Sequence, residues 1–185
     1  MITAKSNTWP LQQACEVGEE LITLLRPACE RIEIAGSVRR KKALVGDIEL
    51  VVVSKDPPNA SLWLERPRLD TRILALIETG VLNYRLNKNR SRTFGPKNKL
   101  LVHIPSGISL DVFSTTTENF GMAWMVRTGP KEFCVRLMSQ FKDCGMAGHA
   151  YGGVQLRDGT EVACPTEEKV FELAGWPYQP PEERR

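Results

Sequence analysis

The sequence predicts an α+β fold, and three observations carry that prediction. Gly46 to Val53 is the strongest strand in the chain, and its second half is apolar on both faces, as an interior strand covered on both sides reads. Strands and amphipathic helices mix around it. Beyond Thr117 the pattern changes to a helix pair followed by a small hairpin. The boundary is therefore drawn there, with residues 1–117 as one domain and residues 118–185 as a small α+β C-terminal subdomain.

The elements follow in order. Leu11 to Cys29 reads as a helix, because Leu11, Ala14, Cys15, Leu21, Ile22 and Leu25 fall near one 3.6-residue stripe and Pro27 ends it. Arg31 to Ala35 alternates like a short strand. Gly36-Ser37 and the basic run Val38 to Lys42 separate it from the Gly46 to Val53 strand. Asp56-Pro57-Pro58-Asn59 makes a turn. Leu69 to Ile77 reads as a second helix, with Pro67 early, where a helix tolerates it. Leu100 to Ile104 and Ile108 to Phe113 read as strands joined by Pro105-Ser106-Gly107. Asn119 to Val126 forms a short helix and Pro130 to Cys144 a longer one. Val154 to Leu156 and Glu161 to Ala163 flank an Asp158-Gly159 turn. Thr166 caps a last helix with Glu167 and Glu168 in its first turn. The tail from Trp176 to Pro181 reads as extended.

Composition excludes several classes. In 185 residues there are 25 Lys plus Arg against 22 Asp plus Glu, a formal charge of +3, with 42% hydrophobic and 25% charged residues. This is the balance of a globular chain, not of a disordered or fibrous one. No unbroken apolar run, Leu50 to Val53 included, comes near the roughly 20 residues of a membrane span, so no membrane partner is expected. The N-terminus has no signal layout. Five cysteines, an odd count without close pairs, predict free thiols in the cytoplasm or another reducing intracellular compartment.

Asp47 and Glu49 stand at i and i+2 on one strand and so point to one face. Two such carboxylates repel unless a cation lies between them. Alone, Asp-x-Glu is more often a solvated strand edge. Two further features change the balance. Gly36-Ser37, ten residues before Gly46, is a turn that offers N–H groups and a hydroxyl to an anion. Asp111 is an acid inside the apolar Ser109 to Phe113 strand, costly there unless paired or metal-bound. Three acids on two strands beside a phosphate-cradling turn fit two-metal phosphoryl or nucleotidyl transfer.

Ile34-Ala35-Gly36-Ser37-Val38-Arg39-Arg40, Gly46 to Val52 and Leu110-Asp111-Val112-Phe113 resemble the palm of family X DNA polymerases, the polymerase beta-like nucleotidyltransferases. Arg127-Thr128-Gly129-Pro130 matches that family's Thr-Gly turn. Pro165 to Phe171 and Gly175 to Glu182 resemble its C-terminal signature. The resemblance implies a nucleotidyltransferase palm, a mixed sheet with two helices, followed by a thumb-like subdomain. It implies a DNA polymerase that adds deoxynucleotides from dNTPs to a primer 3′-hydroxyl with release of pyrophosphate, in repair or gap filling. Asp47, Glu49 and Asp111 would be catalytic and would hold two Mg²⁺, or Mn²⁺. Gly36, Ser37, Arg40, Gly46, Thr128 and Gly129 would bind the nucleotide. The partners would be DNA, as primer–template or gapped duplex, and dNTP, with the protein a monomer.

The chain also departs from the family. Glu49 stands where Asp is usual. Val126-Arg127 replaces an aromatic pair that bears on the nucleotide sugar. Cys134 and Met138 stand where larger members carry Asn and Arg. The chain reads as palm plus C-terminal subdomain without lyase and fingers regions, as in short viral members.

No acid occurs between Glu78 and Asp111, while that window holds Arg85, Lys88, Arg90, Arg92, Lys97 and Lys99. Beside a nucleotidyltransferase site we read it as a DNA-backbone surface, with Arg90, Arg92, Lys97 and Lys99 as the contacts. Tyr84 and Phe94 lie nearby, Phe94 as a core residue. His103 reads as a satisfied strand residue. Cys134, Cys144 and His149 lack the spacing of a zinc site. Two rival readings remain: a nucleotidyltransferase acting on an RNA end or small molecule, against which the basic window argues, and a non-catalytic DNA-end-binding module, against which the intact acids argue.

Overall fold

The protein is described here by a computed structural model, over residues 8–55 and 67–185. The turn expected at Asp56-Pro57-Pro58-Asn59 lies outside those residues. A two-residue strand β1 (Trp9–Pro10) leads into α1 (Leu11–Leu25), which buries Ala14, Val17, Leu21, Ile22 and Leu25 on one face. The helix stops four residues earlier than the stripe suggested. Pro27 cannot continue it, the chain tightens into a 3₁₀ turn over Arg26–Ala28, and Cys29 already opens β2 (Cys29–Ile34). One helical turn, α2 (Gly36–Arg39), follows, then β3 (Leu44–Val45), which pairs with β1, and β4 (Asp47–Ser54).

The next helix is α3 (Arg68–Glu78), with Pro67 at its N-cap. It leads to β5 (Leu82–Tyr84), a strand the hydropathy pattern did not announce. β6 (Asn98–His103) and β7 (Ser109–Ser114) form the expected pair across Pro105-Ser106-Gly107. The C-terminal part contains α4 (Phe120–Thr128), α5 (Lys131–Asp143), β8 (Ala147–His149), β9 (Gly153–Gln155), β10 (Glu161–Val162) and α6 (Glu167–Ala174). The β9–β10 turn forms at Asp158-Gly159, where Asp158 accepts the Thr160 N–H at 2.9 Å and Gly159 has φ +86. Thr166 caps α6 through the Lys169 N–H at 3.3 Å. β8 was not anticipated; beyond the Trp176 to Pro180 stretch, which forms neither helix nor strand, the chain makes a 3₁₀ turn at Pro181–Glu183.

Five strands form a mixed sheet in the order β2-β4-β7-β6-β5. β4 and β7 run parallel and the other pairs are antiparallel. One face carries Ile48, Leu50, Val52, Leu101, Leu110 and Val112 into a core with α1 and α3. That placement is why β4 is apolar on both sides: Val51, Val53 and Phe113 face the other way and pack on Phe120 and Ala123 of α4. A further core lies under α5 and α6, where Met125, Phe133, Leu137, Phe141, Val170 and Phe171 are buried around the β10-β9-β8 sheet. Among the described residues no disulfide joins the cysteines. Among the described residues no helix is long and apolar enough to cross a membrane.

Candidate active site

The sheet register gathers the acids. Glu49 lies directly opposite Asp111 across the parallel β4–β7 pair, and Asp47 lies opposite Ser109. All three carboxylates therefore project from the face that α4 covers further along the strands. Burial raises the affinity of each for its proton. Glu49 is pushed up to about 8, first by burial and then by the charges of Asp47 and Asp111, against the pull of Arg127 and Arg40. Burial raises Asp47 against the opposing charge of Arg85. It also raises Asp111, although the Arg85 guanidinium opposes it by charge and hydrogen bond.

The acids share a face, but they do not form a finished ligand set. Among the described residues no three His, Cys, Asp or Glu side chains stand close enough together to hold an ion. Two contacts engage these carboxylates. Arg85 forms an ion pair with Asp111 Oδ1. The Glu49 carboxyl packs against Gly36, where a Cβ would collide with it and φ is +64. Gly36 is thus set by a close approach and by its backbone angle together.

The Gly36-Ser37 turn is held beside the acids by the Ala35 N–H, which donates to the Glu49 carbonyl at 2.8 Å. As the first turn of a helix it leaves its leading N–H groups without intrahelical acceptors. Gly46 is exposed, with open space where a side chain would be. Arg40 reaches from this turn to the Thr128 carbonyl, and Gly129, at φ +67, leaves room for it. Thr128 itself is fully buried, and its hydroxyl accepts from Arg39 at 2.7 Å. The structure therefore gives Thr128 the place of a strut under the two arginines, not an open contact surface.

Positive charge surrounds the acids. Arg127 on α4 stacks over Phe113 at 3.8 Å and donates to the Tyr151 hydroxyl at 2.5 Å. The Nε atoms of Arg40, Arg85 and Arg127 are all buried without a hydrogen-bond partner. Buried donors of this kind are costly and point to a missing acceptor. Three of them around one acid cluster describe a place for an anion and its counter-ions.

A network the sequence did not reveal ties the turn to the C-terminal part. Glu167, nearly fully buried, accepts from Arg39 at 2.6 and 2.7 Å and from Arg184 at 2.9 Å twice. Arg39 also stacks on Trp124 at 3.3 Å, and the Trp124 indole donates to the Ile34 carbonyl at 2.8 Å. In the sequence Glu167 shows only as helix-end charge, because its partners lie 128 and 17 residues away.

The basic window divides. Arg90, Arg92 and Lys97 are exposed, with Arg92 over Tyr84 at 4.6 Å. Lys99 is a correction. It is only 1% exposed, and its ammonium lies 2.9 Å from Asp70 and donates to the Gly95 carbonyl at 2.9 Å, so it cannot reach DNA. Period-2 alternation turns Lys99 inward, where Asp70 of α3 receives it. Tyr84 packs edge-on against Phe94 at 5.6 Å, so neither ring stands free to stack on a base.

Comparison with known proteins bears on the fold. The DNA polymerase beta thumb family matches residues 123–185. DNA polymerase lambda of Rattus norvegicus is 25% identical over 164 residues, covering 80% of this chain and 28% of that protein. The chain thus spans less than a third of this curated relative. A solved structure of Leishmania infantum polymerase beta, a ternary P/T complex, matches with a TM-score of 0.76 at 19% identity, over 97% of this chain and 77% of the other. In its fold, its C-terminal match and its relative, the chain is similar to family X DNA polymerases.

Proposed function

We propose that the protein is a divalent-metal-dependent DNA polymerase that extends a primer 3′-hydroxyl with deoxynucleotides and releases pyrophosphate. The observation that carries this reading is the three-acid face bordered by three guanidinium groups with unpartnered Nε atoms. The donor set is chemically right for Mg²⁺ or Mn²⁺: hard carboxylate oxygens whose mutual repulsion a cation would relieve. Asp47, Glu49 and Asp111 would hold the ions, which supply charge neutralisation at the transferring phosphoryl group and a more acidic primer hydroxyl. Arg40 and the N–H groups of the Gly36-Ser37 turn would bind triphosphate oxygens. Arg127 adds fixed positive charge behind the acids. Exposed Arg90, Arg92 and Lys97 would hold the DNA backbone without reading sequence. The solved relative is described as a ternary P/T complex, which supports a nucleic-acid substrate for the same fold here.

The second reading is a DNA-end-binding module without catalysis, and the unconverged acids favour it. A primer-extension assay with Mg²⁺ or Mn²⁺, wild type beside Asp111→Asn, separates the two. The proposal expects extension by wild type and its loss in the variant. DNA binding with no nucleotide addition to any primer would select the module, and equal activity in the two proteins would remove the metal assignment.

A further inference from the structure

Arg85 was first a member of the basic window, but the sheet gives it another place. It lies one residue beyond β5, and its N–H donates to the Leu100 carbonyl at 3.0 Å. Leu100 is the register partner of Asp111, and Asp111 of Glu49. Arg85 therefore stands at the outer end of the row that carries two of the three acids. Its side chain crosses over Leu100 and pairs with Asp111 Oδ1 through one Nη, while its Nε is buried without a partner. Asp111 is thus already paired, and among the described residues no three acids form a group that could hold an ion.

We infer that Arg85 is the resident counter-cation of the acid cluster and sets its divalent-ion affinity by competing for Asp111. This rests on the metal-dependent reading of the site proposed above. A guanidinium donates to carboxylate lone pairs that a divalent ion would need, and it cannot lose its charge to make way. An ion held by Asp111 must displace the Arg85 contact or share the carboxylate with it, and the nearby positive charge opposes the ion in either case. The alternative role, a brace that presents Asp111 to an ion, predicts the opposite sign on removal.

The test is direct Mn²⁺ binding to the whole chain without DNA or nucleotide, read from the free-ion electron paramagnetic resonance signal. Wild type is compared with Arg85→Gln, Arg85→Lys and the double variant Arg85→Gln with Asp111→Asn. Arg85→Gln should bind Mn²⁺ about tenfold more tightly, from loss of a unit charge at close range. Arg85→Lys, which keeps the charge, should stay near wild type. The double variant should lose the gain. Circular dichroism and a thermal melt on each variant establish that the fold is kept. If Arg85→Gln does not fold, Arg85→Met, which keeps the buried stem, replaces it. Unchanged or weaker Mn²⁺ binding on charge removal overturns the inference, as does the absence of Mn²⁺ binding in every variant. Tighter Mn²⁺ binding in a protein that extends no primer upholds the inference and removes the polymerase reading instead.

Discussion

Replacing Glu167 by Gln tests whether the C-terminal part is clamped to the Gly36-Ser37 turn by charge. Glu167 accepts four hydrogen bonds of 2.6 to 2.9 Å from Arg39 and Arg184, and the Arg184 side chain is fully buried. Removing one partner of a buried pair costs about 3–5 kcal/mol, because the other charge stays desolvated and unpaired. Gln keeps the shape and one acceptor, and Arg39 keeps its stacking on Trp124, so the lower end, about 3 kcal/mol, is expected. In a chain of this length that corresponds to a fall in Tm of about 6–12 °C. Urea unfolding should show a lower midpoint at an unchanged slope. The exposed Lys169–Glu172 pair is the control, and Glu172→Ala should move stability by less than about 0.5 kcal/mol. Although burial pushes the Glu167 carboxyl up, hydrogen bonds from Arg39 and Arg184 more than offset it and hold it below its ordinary 4.5. Its contribution is therefore present above pH 4.5 and lost as pH falls through the folded value. Glu167→Gln should flatten that acid limb. A loss under about 1 kcal/mol, with the acid limb intact, would refute the clamp.

Two further outcomes follow from the buried charges. Glu49 has the opposite sign to Glu167. Its carboxyl binds its proton more tightly folded than unfolded, so in chelated protein its contribution is complete below pH 4.5 and lost as pH rises toward about 8. Thermal melts in a chelator from pH 5 to 9 should fall for wild type and stay flatter for Glu49→Gln, and parallel curves would contradict the burial argument. Lys99→Met should destabilise the fold by about 1–3 kcal/mol by stranding Asp70, yet leave the salt slope of DNA binding unchanged. Lys97→Ala or Arg92→Ala should each reduce that slope by about 1. A Lys99 effect on the slope equal to theirs would mean that Lys99 reaches DNA after all.

Local signals were legible where the chain supplied both halves of an interaction nearby. Thr166 and Lys169 make a cap within one turn, and Asp158-Gly159 makes its own turn. Pro27 was recognised as a stop, but the strand it hands over to at Cys29 was absorbed into the helix, because a few apolar residues suit either period. β5 and β8, of three residues each, carry too few positions to show alternation, so their partners in the sheet could not be placed.

The sequence by itself determined which acids share a face and which turn precedes them. The spacing of Asp47 and Glu49 puts them on one face whatever packs around them, and the Gly36-Ser37 turn precedes them at a distance a strand and a short helix dictate. Only the tertiary structure decided what each charge meets. Lys99 turns inward to Asp70, Arg39 is committed to Glu167, and Arg85 crosses the sheet to Asp111. A side chain's periodicity follows from the backbone around it, but its partner follows from how helices and strands far apart in the chain pack together. Here that packing separates exposed arginines and lysines from those already bound to an acid.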